Sequence, residues 1–236
     1  MDMAAIKDNI LLAALPNVVF DGWSHQTMRD ATLTANYDPS MELRAFPKGP
    51  ADLVEHFSVW ADDAMRRAMA DRDLAAMRLP ERVAAALRAR FESLAPHREA
   101  VRRSIAFLAL PANVAMTARL LYRTVDEVWY IAGDVSTDFS FYTKRAMLAT
   151  VISAATLYWL EDKSDDSEAT WAFINRRIAE IAVVGKSIAQ LNKFSSSSAG
   201  EATSGTDSMS ALSKISWCVP SPFRFARYLR RRANMA

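Results

Sequence analysis

The segment "PANVAMTARLLYRTVDEVWYIAG", residues 111–133, constrains the fold more than any other part of the chain. Proline opens it and glycine closes it, the asymmetry expected of a helix start and stop. A helix of that length carrying Met116, Leu120 and Leu121 must bury an apolar side against something. The rest of the chain offers only more helices. There are six glycines in 236 residues, Ala, Leu, Arg and Met are plentiful, and no Val/Ile/Thr run alternates with period two. The fold class expected is all-α.

Punctuation divides the remainder. A first helix is expected over Ala4–Leu15, stopped by Pro16. Asp21 and Gly22 form a turn, after which Ser24 caps a second helix. Three prolines and a glycine keep any helix short in "NYDPSMELRAFPKGPADL". A longer helix spans Pro50–Ala70, with Leu53, Phe57, Trp60, Ala61 and Ala64 at three-to-four spacing. Helices Pro80–Leu94 and His97–Leu110 follow. Beyond Gly133, Ser136 or Asp138 caps a helix reaching Leu160, and the acidic loop "EDKSDDSE" precedes a last body helix from Ala169 to about Leu191. Residues 193–210 are a polar, Ser-rich linker, too entropic to pack. These marks divide the chain into residues 1–60, a helix-turn-helix-like unit; 61–192, a helical body; the linker; and a tail, 211–236.

Hydrophobic residues at 51% and charged residues at 24% allow one substantial core. The single Cys218 excludes a disulfide framework and a cysteine zinc site. No uninterrupted run of ~20 apolar residues is present, nor is there a secretion signal or an Arg/Ser-rich leader. A cytoplasmic body is expected.

Catalytic signatures are missing. A di-iron bundle needs Glu-x-x-His pairs, yet Gly22, Leu53 and Leu94 stand three residues before His25, His56 and His97. There is no phosphate loop, no G-x-S-x-G elbow and no H-E-x-x-H. The three histidines read as exposed or capping residues. No enzyme activity, no metal and no cofactor of its own are expected.

The first sixty residues resemble the start of a TetR-type repressor, with a short third helix before the step "FPKGPADLVEHF". An effector-responsive transcription regulator is therefore an alternative reading. Charge argues against it: Lys7, Arg29, Arg44 and Lys48 face eight carboxylates, a net charge of −4. Phosphate neutralisation by cations supplies most non-specific DNA affinity, and "DPSMEL", where a recognition helix would lie, has none. No nucleic-acid partner is expected.

Around Gly133 the chain gathers amphipathic side chains. Asp126, Trp129, Tyr130 and Gly133 share one helical face; Phe139 and Tyr142 share a face of the next helix, with Phe141 and Arg145 beside it. Such a set is either core packing or an interface, since aromatics with a nearby Arg and Asp are what interface hot spots use. A second set, Met116, Leu120, Leu121, Met147, Val151 and Tyr158, is either a filled interior or the lining of a pocket, with Met the most adaptable.

The segment "LYRTVDEVWYIAGDVSTDFSFYTKRAMLATVISAATLYWL", with "LLAALPNVVFDGW" upstream and "ATWAFINRRI" downstream, closely resembles the ubiquinone-biosynthesis accessory family called coenzyme Q protein nine. The resemblance covers roughly residues 5–185 and rests most on the "WYIAGD.STDF..YTKRA" block. It implies a TetR-like helical fold, a homodimer, and an isoprenoid lipid or quinone precursor bound where repressors hold effectors. It also implies a partner, the di-iron demethoxyubiquinone hydroxylase. On that resemblance the partner patch maps to Asp126, Trp129, Tyr130, Phe141, Tyr142 and Arg145, and a charge introduced at Trp129 or Phe141 should break partner binding without unfolding the chain. Relatives typically carry Asn-Trp where this chain has Ser140-Phe141. Phenylalanine keeps an apolar anchor but loses the indole N–H.

The tail is chemically distinct. Met209, Leu212, Ile215 and Val219 form an apolar stripe, and Ser221 and Pro222 then open "SPFRFARYLRRRANMA" as a helix. Phe223, Phe225, Tyr228 and Leu229 supply its apolar contacts, while Arg227 and Arg231 lie among six cations that face no acid from Ala211 onward. A basic amphipathic helix of this kind is a membrane-surface anchor. The protein is thus expected to be peripheral on the inner face of the cell membrane, or on the matrix side if a transit peptide has been removed.

Overall fold

The computed structural model describes residues 2–134 and 139–181, with the side chains of 139–141 excluded. Every described residue is helical or belongs to a turn between helices; no strand occurs among them. In chain order the helices are α1 (Met3–Asp21), α2 (His25–Thr34), α3 (Met41–Ala45), α4 (Pro50–Ala70), α5 (Leu79–Leu94), α6 (Arg98–Leu108), α7 (Val114–Ala132) and α8 (Phe139–Glu161). A further helix, α9, runs over described residues 168–181.

Helix α1 does not stop at Pro16. It continues through the proline to Asp21, where the Gly22 N–H closes it on the Val18 carbonyl at 3.0 Å. Pro16 and Leu12 both lie on the exposed side, so the carbonyl that the missing N–H leaves unbonded faces water. The opposite side buries Ile6, Ile10, Leu11, Ala14, Leu15 and Val18, and each fully buried residue of that size contributes about 1.5–3 kcal/mol. Burial outweighs the local penalty. By length and composition α1 could cross a membrane, but these residues belong to the central core.

Ser24 caps α2 as its sequence implies, its hydroxyl accepting from the Thr27 N–H at 3.1 Å. Helix α4 has the expected bounds, Pro50–Ala70, and therefore passes uninterrupted through position 60. On that helix Phe57 lies tilted against Trp23 at 5.4 Å and stacked on Trp60 at 6.3 Å. Helices α1, α4, α5, α7 and α8 and residues Ile174 and Ile178 of α9 share one core. Phe91 packs against Trp159 and Trp171 within it.

The histidines differ from expectation at two positions. His25 is exposed, but His97 at the start of α6 is half-buried, makes no side-chain cap bond and packs edge-on to Trp60 at 5.9 Å. His56 is largely buried and meets the Asp8 carboxylate at 2.8 Å, tying α4 to α1. Burial pushes the His56 pKa down, against the upward pull of Asp8.

The acidic loop after α8 is a cap. Asp162 accepts from the Ser164 and Thr170 N–H groups, both at 2.9 Å, and from both hydroxyls, anchoring the start of α9. Ser136 and Asp138, the linker 193–210 and the tail 211–236 lie outside the described residues.

Candidate functional site

Two places carry candidate function, the corner between α7 and α8 and a cavity among α4–α8.

At the corner, Gly133 adopts a left-handed conformation, φ 77°, and ends α7. The Gly133 N–H donates to Tyr130 O at 3.0 Å and the Asp134 N–H to Trp129 O at 3.1 Å, the paired bonds of a Schellman turn. Arg82 of α5 donates to the Ala132 carbonyl at 3.1 Å. The turn sends the chain back so that the Asp134 carboxylate, its side chain buried, meets Lys144 at 2.9 Å and Arg145 at 3.9 Å. Arg145 in turn holds Asp126. Lys144 also stands 5.8 Å from the Trp129 ring centre.

The six residues assigned to the partner patch therefore separate. Tyr130 and Tyr142 are 78% and 69% exposed, and Asp126 is half exposed. Trp129 is 4% exposed and sits in the core, and Arg145 is buried as well. The reason is helical geometry: neighbouring residues point about 100° apart, so Tyr130 faces outward where Trp129 faces in. A charge at Trp129 would enter the core, so such a change would unfold the chain rather than test a surface. The Phe141 side chain is outside the described residues.

The second place is a cavity of about 330 Å³. Its walls are apolar: Val54, Phe57 and Ala61 from α4, Leu94 from α5, Val101 and Ile105 from α6, Leu120 and Leu121 from α7, Ile152 and Leu157 from α8. Leu120 and Leu121 are the two residues of the sequence-derived set that line it. Met116, Met147, Val151 and Tyr158 are not among its lining residues. On α8 the lining runs along Ile152, Ser153, Thr156 and Leu157, so Val151 and Tyr158 are each turned one residue away. Tyr158 instead stacks flat on Phe173 at 5.0 Å.

One end of the cavity is polar. Arg90, Ser58 and Thr124 line it, and behind them lies the fully buried Asp62. Arg90 Nε donates to Asp62 Oδ1 at 2.8 Å, Thr124 Oγ1 donates to the same oxygen at 3.0 Å, and Arg123 Nε stands 3.9 Å from Oδ2. Sequence reasoning missed this group. The available signal was Asp62 itself, a carboxylate on a stripe otherwise made of Val54, Phe57, Ala61, Met65 and Met69, all buried; a charge there requires a buried partner.

With this geometry in view, the chain can be compared with known proteins. The COQ9 family model matches residues 114–185. Human ubiquinone biosynthesis protein COQ9, mitochondrial, is 30% identical over 193 residues, covering 79% of this chain and 60% of the human protein. The chain belongs to the COQ9 family. The Xenopus laevis COQ9-B protein is 30% identical over 198 residues, covering 79% of this chain and 66% of its own length. The Drosophila melanogaster COQ9 protein is 31% identical over 180 residues, with coverages of 75% and 55%. This COQ9-family chain thus spans about 60% of the length of the human relative it matches. Among solved structures, a TetR transcriptional regulator from Nitrosomonas europaea matches with a TM-score of 0.63 and 18% identity, covering 75% of this chain and 98% of the regulator. That match establishes a TetR-like helical fold. The COQ9 family match takes in the whole of α7 and α8, and therefore both the corner and one wall of the cavity.

Proposed function

We propose that this chain is a non-catalytic accessory protein of ubiquinone biosynthesis that binds an isoprenoid quinone precursor and presents it to the di-iron demethoxyubiquinone hydroxylase. Its relatives are named for ubiquinone biosynthesis and for mitochondria. The observation that carries the reading is the apolar cavity among α4–α8. At about 330 Å³ it lies at the small end of the ~300–1,000 Å³ usual for ligand sites. It would hold a head group and the first part of a tail, and leave the rest of a long polyisoprenoid outside. The exposed positions among its lining, Ala109, Ser153 and Leu157, mark where a tail would leave.

The partner would dock on the corner, with Tyr130 and Tyr142 as the exposed aromatic anchors and Phe141 beside them in sequence. Rigid aromatics over a buried ionic frame are the residue types that dominate interface energies. The catalytic metal then belongs to the partner, and this chain needs no cofactor. Residues 211–236 would hold the protein on an anionic membrane surface, at about 1 kcal/mol per Lys or Arg, on the inner face of a cell membrane or the matrix side of a mitochondrial one. A homodimer completes the reading.

Native mass spectrometry of protein purified gently from its own membranes tests the proposal. A bound species of isoprenoid-quinone mass supports it. Protein that is empty under every extraction condition overturns the carrier role.

A further inference from the structure

We propose that the cavity is polarised, with Arg90 holding an acceptor oxygen of the ligand's head group at the end nearer the corner; this rests on the cavity being the lipid site. Arg90 is a binding residue in this reading, and the ligand class is an amphiphile with a quinone-type carbonyl, phenol or ether oxygen at one end and an isoprenoid tail at the other.

The Arg90 guanidinium has five N–H donors in a fixed fork. Nε is spent on Asp62 at 2.8 Å and Nη2 reaches Ser58 Oγ only at 3.4 Å. Nη1 has no acceptor among the described residues, although the side chain is 12% exposed and lines the cavity. A guanidinium so desolvated gains from any acceptor that enters. Charge favours an oxygen over a donor or a cation, because the single Asp62 carboxylate has both Arg90 and Arg123 around it.

Direction along the cavity follows from α7. The helix lines the cavity with Thr117, Leu120, Leu121 and Thr124 in turn, and Thr124 shares Asp62 with Arg90. The polar end is therefore the one toward the C-terminus of α7, about 7.5 Å of helix rise before Trp129. The opposite end, at Leu108, Ala109 and Leu157, is partly exposed and carries no charge. The hydroxyls of Thr117, Ser153 and Thr156 that also line the cavity donate to the backbone carbonyls of Leu108, Ala149 and Ile152. A ligand seated this way has its head group directed toward the α7–α8 corner and its tail away from it.

The test compares three probes on the full chain by native mass spectrometry: a short-chain ubiquinone with two isoprene units, an isoprenoid hydrocarbon of matching carbon number, and a fatty acid of matching length. The wild type should bind the quinone at least tenfold more tightly than the hydrocarbon, the worth of one charge-assisted hydrogen bond. Arg90→Lys keeps a cation for Asp62 but loses the fork, and should bring the quinone down to the hydrocarbon's affinity while leaving hydrocarbon binding unchanged. Equal wild-type affinity for quinone and hydrocarbon overturns the inference even where Arg90→Lys does not fold. A fatty acid preferred over the quinone assigns Arg90 to a carboxylate and overturns it too. Failure of all three probes to bind overturns the lipid site itself, and with it the inference.

Discussion

Arg145 donates from Nε and Nη2 to a single oxygen of Asp126, at 3.0 and 2.8 Å, crossing from α8 to α7. The two ends of this contact differ in surroundings. Asp126 is half exposed, whereas the guanidinium is buried and also stands 3.9 Å from the buried Asp134 carboxylate. Removing Asp126 leaves the cation near Asp134, and Asp126→Ala should cost about 1 kcal/mol or less. Arg145→Ala takes a buried partner from two carboxylates and should cost about 3 kcal/mol. Urea unfolding midpoints check the asymmetry; equal losses would show that the Asp134 contact contributes nothing.

The exposed tyrosines separate binding from stability. Tyr130→Ala and Tyr142→Ala should each leave the unfolding free energy within about 0.5 kcal/mol. If the corner receives the hydroxylase, each should weaken its capture at least tenfold, as loss of an interface anchor does. Trp129→Ala should instead cost about 3–5 kcal/mol as a core deletion. Capture of purified hydroxylase on immobilised protein, alongside thermal midpoints, distinguishes the cases. Undiminished capture by both tyrosine variants would move the interface elsewhere.

Much of this fold was legible because helix ends are written locally. Ser24, Pro50 and Gly133 act where they stand, through one or two hydrogen bonds or one fixed φ, and the sequence marks each. Pro16 was misread because its local penalty is overruled by six buried residues on the far side of the helix, which no local rule weighs. The corner was only half legible: spacing brought Trp129 and Tyr130 together, but which of them turns inward depends on where α4, α5 and α8 lie. Asp62, Arg90 and Thr124 meet from three helices across 62 positions of sequence, so no spacing in the chain could join them.

The cavity can be closed from inside. Ala61 is fully buried and lines it, so Ala61→Leu adds apolar volume to a space already present. The thermal stability of the empty protein should shift by less than about 1 kcal/mol, since the added group does not overpack its neighbours. Copurified isoprenoid lipid, measured by extraction and mass spectrometry, should fall to a small fraction of the wild-type amount. Full lipid occupancy in a folded Ala61→Leu protein would place the lipid outside this cavity.

Acid should loosen the joint between α8 and α9. Burial works to raise the Asp162 pKa, but the hydroxyl and amide hydrogen bonds of Ser164 and Thr170 outweigh it and bring the pKa from 3.8 to about 2. A carboxylate held below its unfolded pKa contributes stability that is complete above pH 3.8 and is lost as pH falls through 2. Allowing for solvent screening, the loss is about 1 kcal/mol. Urea midpoints at pH 5 and pH 2 should therefore converge for wild type and Asp162→Asn. A gap that stays constant over that range would remove the cap from the acid response.

Pro16 offers the reverse kind of change, one that should stabilise. The proline and Leu12 are both on the exposed side of α1, so Pro16→Ala removes no buried surface. It restores an N–H that can donate to the Leu12 carbonyl and relieves the ring's clash with that turn. Alanine is about 3 kcal/mol better than proline in a helix interior, although the existing helix has already relaxed around the ring. A gain of about 1–2 kcal/mol is expected, read as a higher urea midpoint with unchanged m-value. The same substitution also reduces the stiffness of the unfolded chain, which works against the gain by about 0.4–1 kcal/mol. A net loss of stability would mean that the proline fits a bend in α1 on which the packing of Leu15 and Val18 depends.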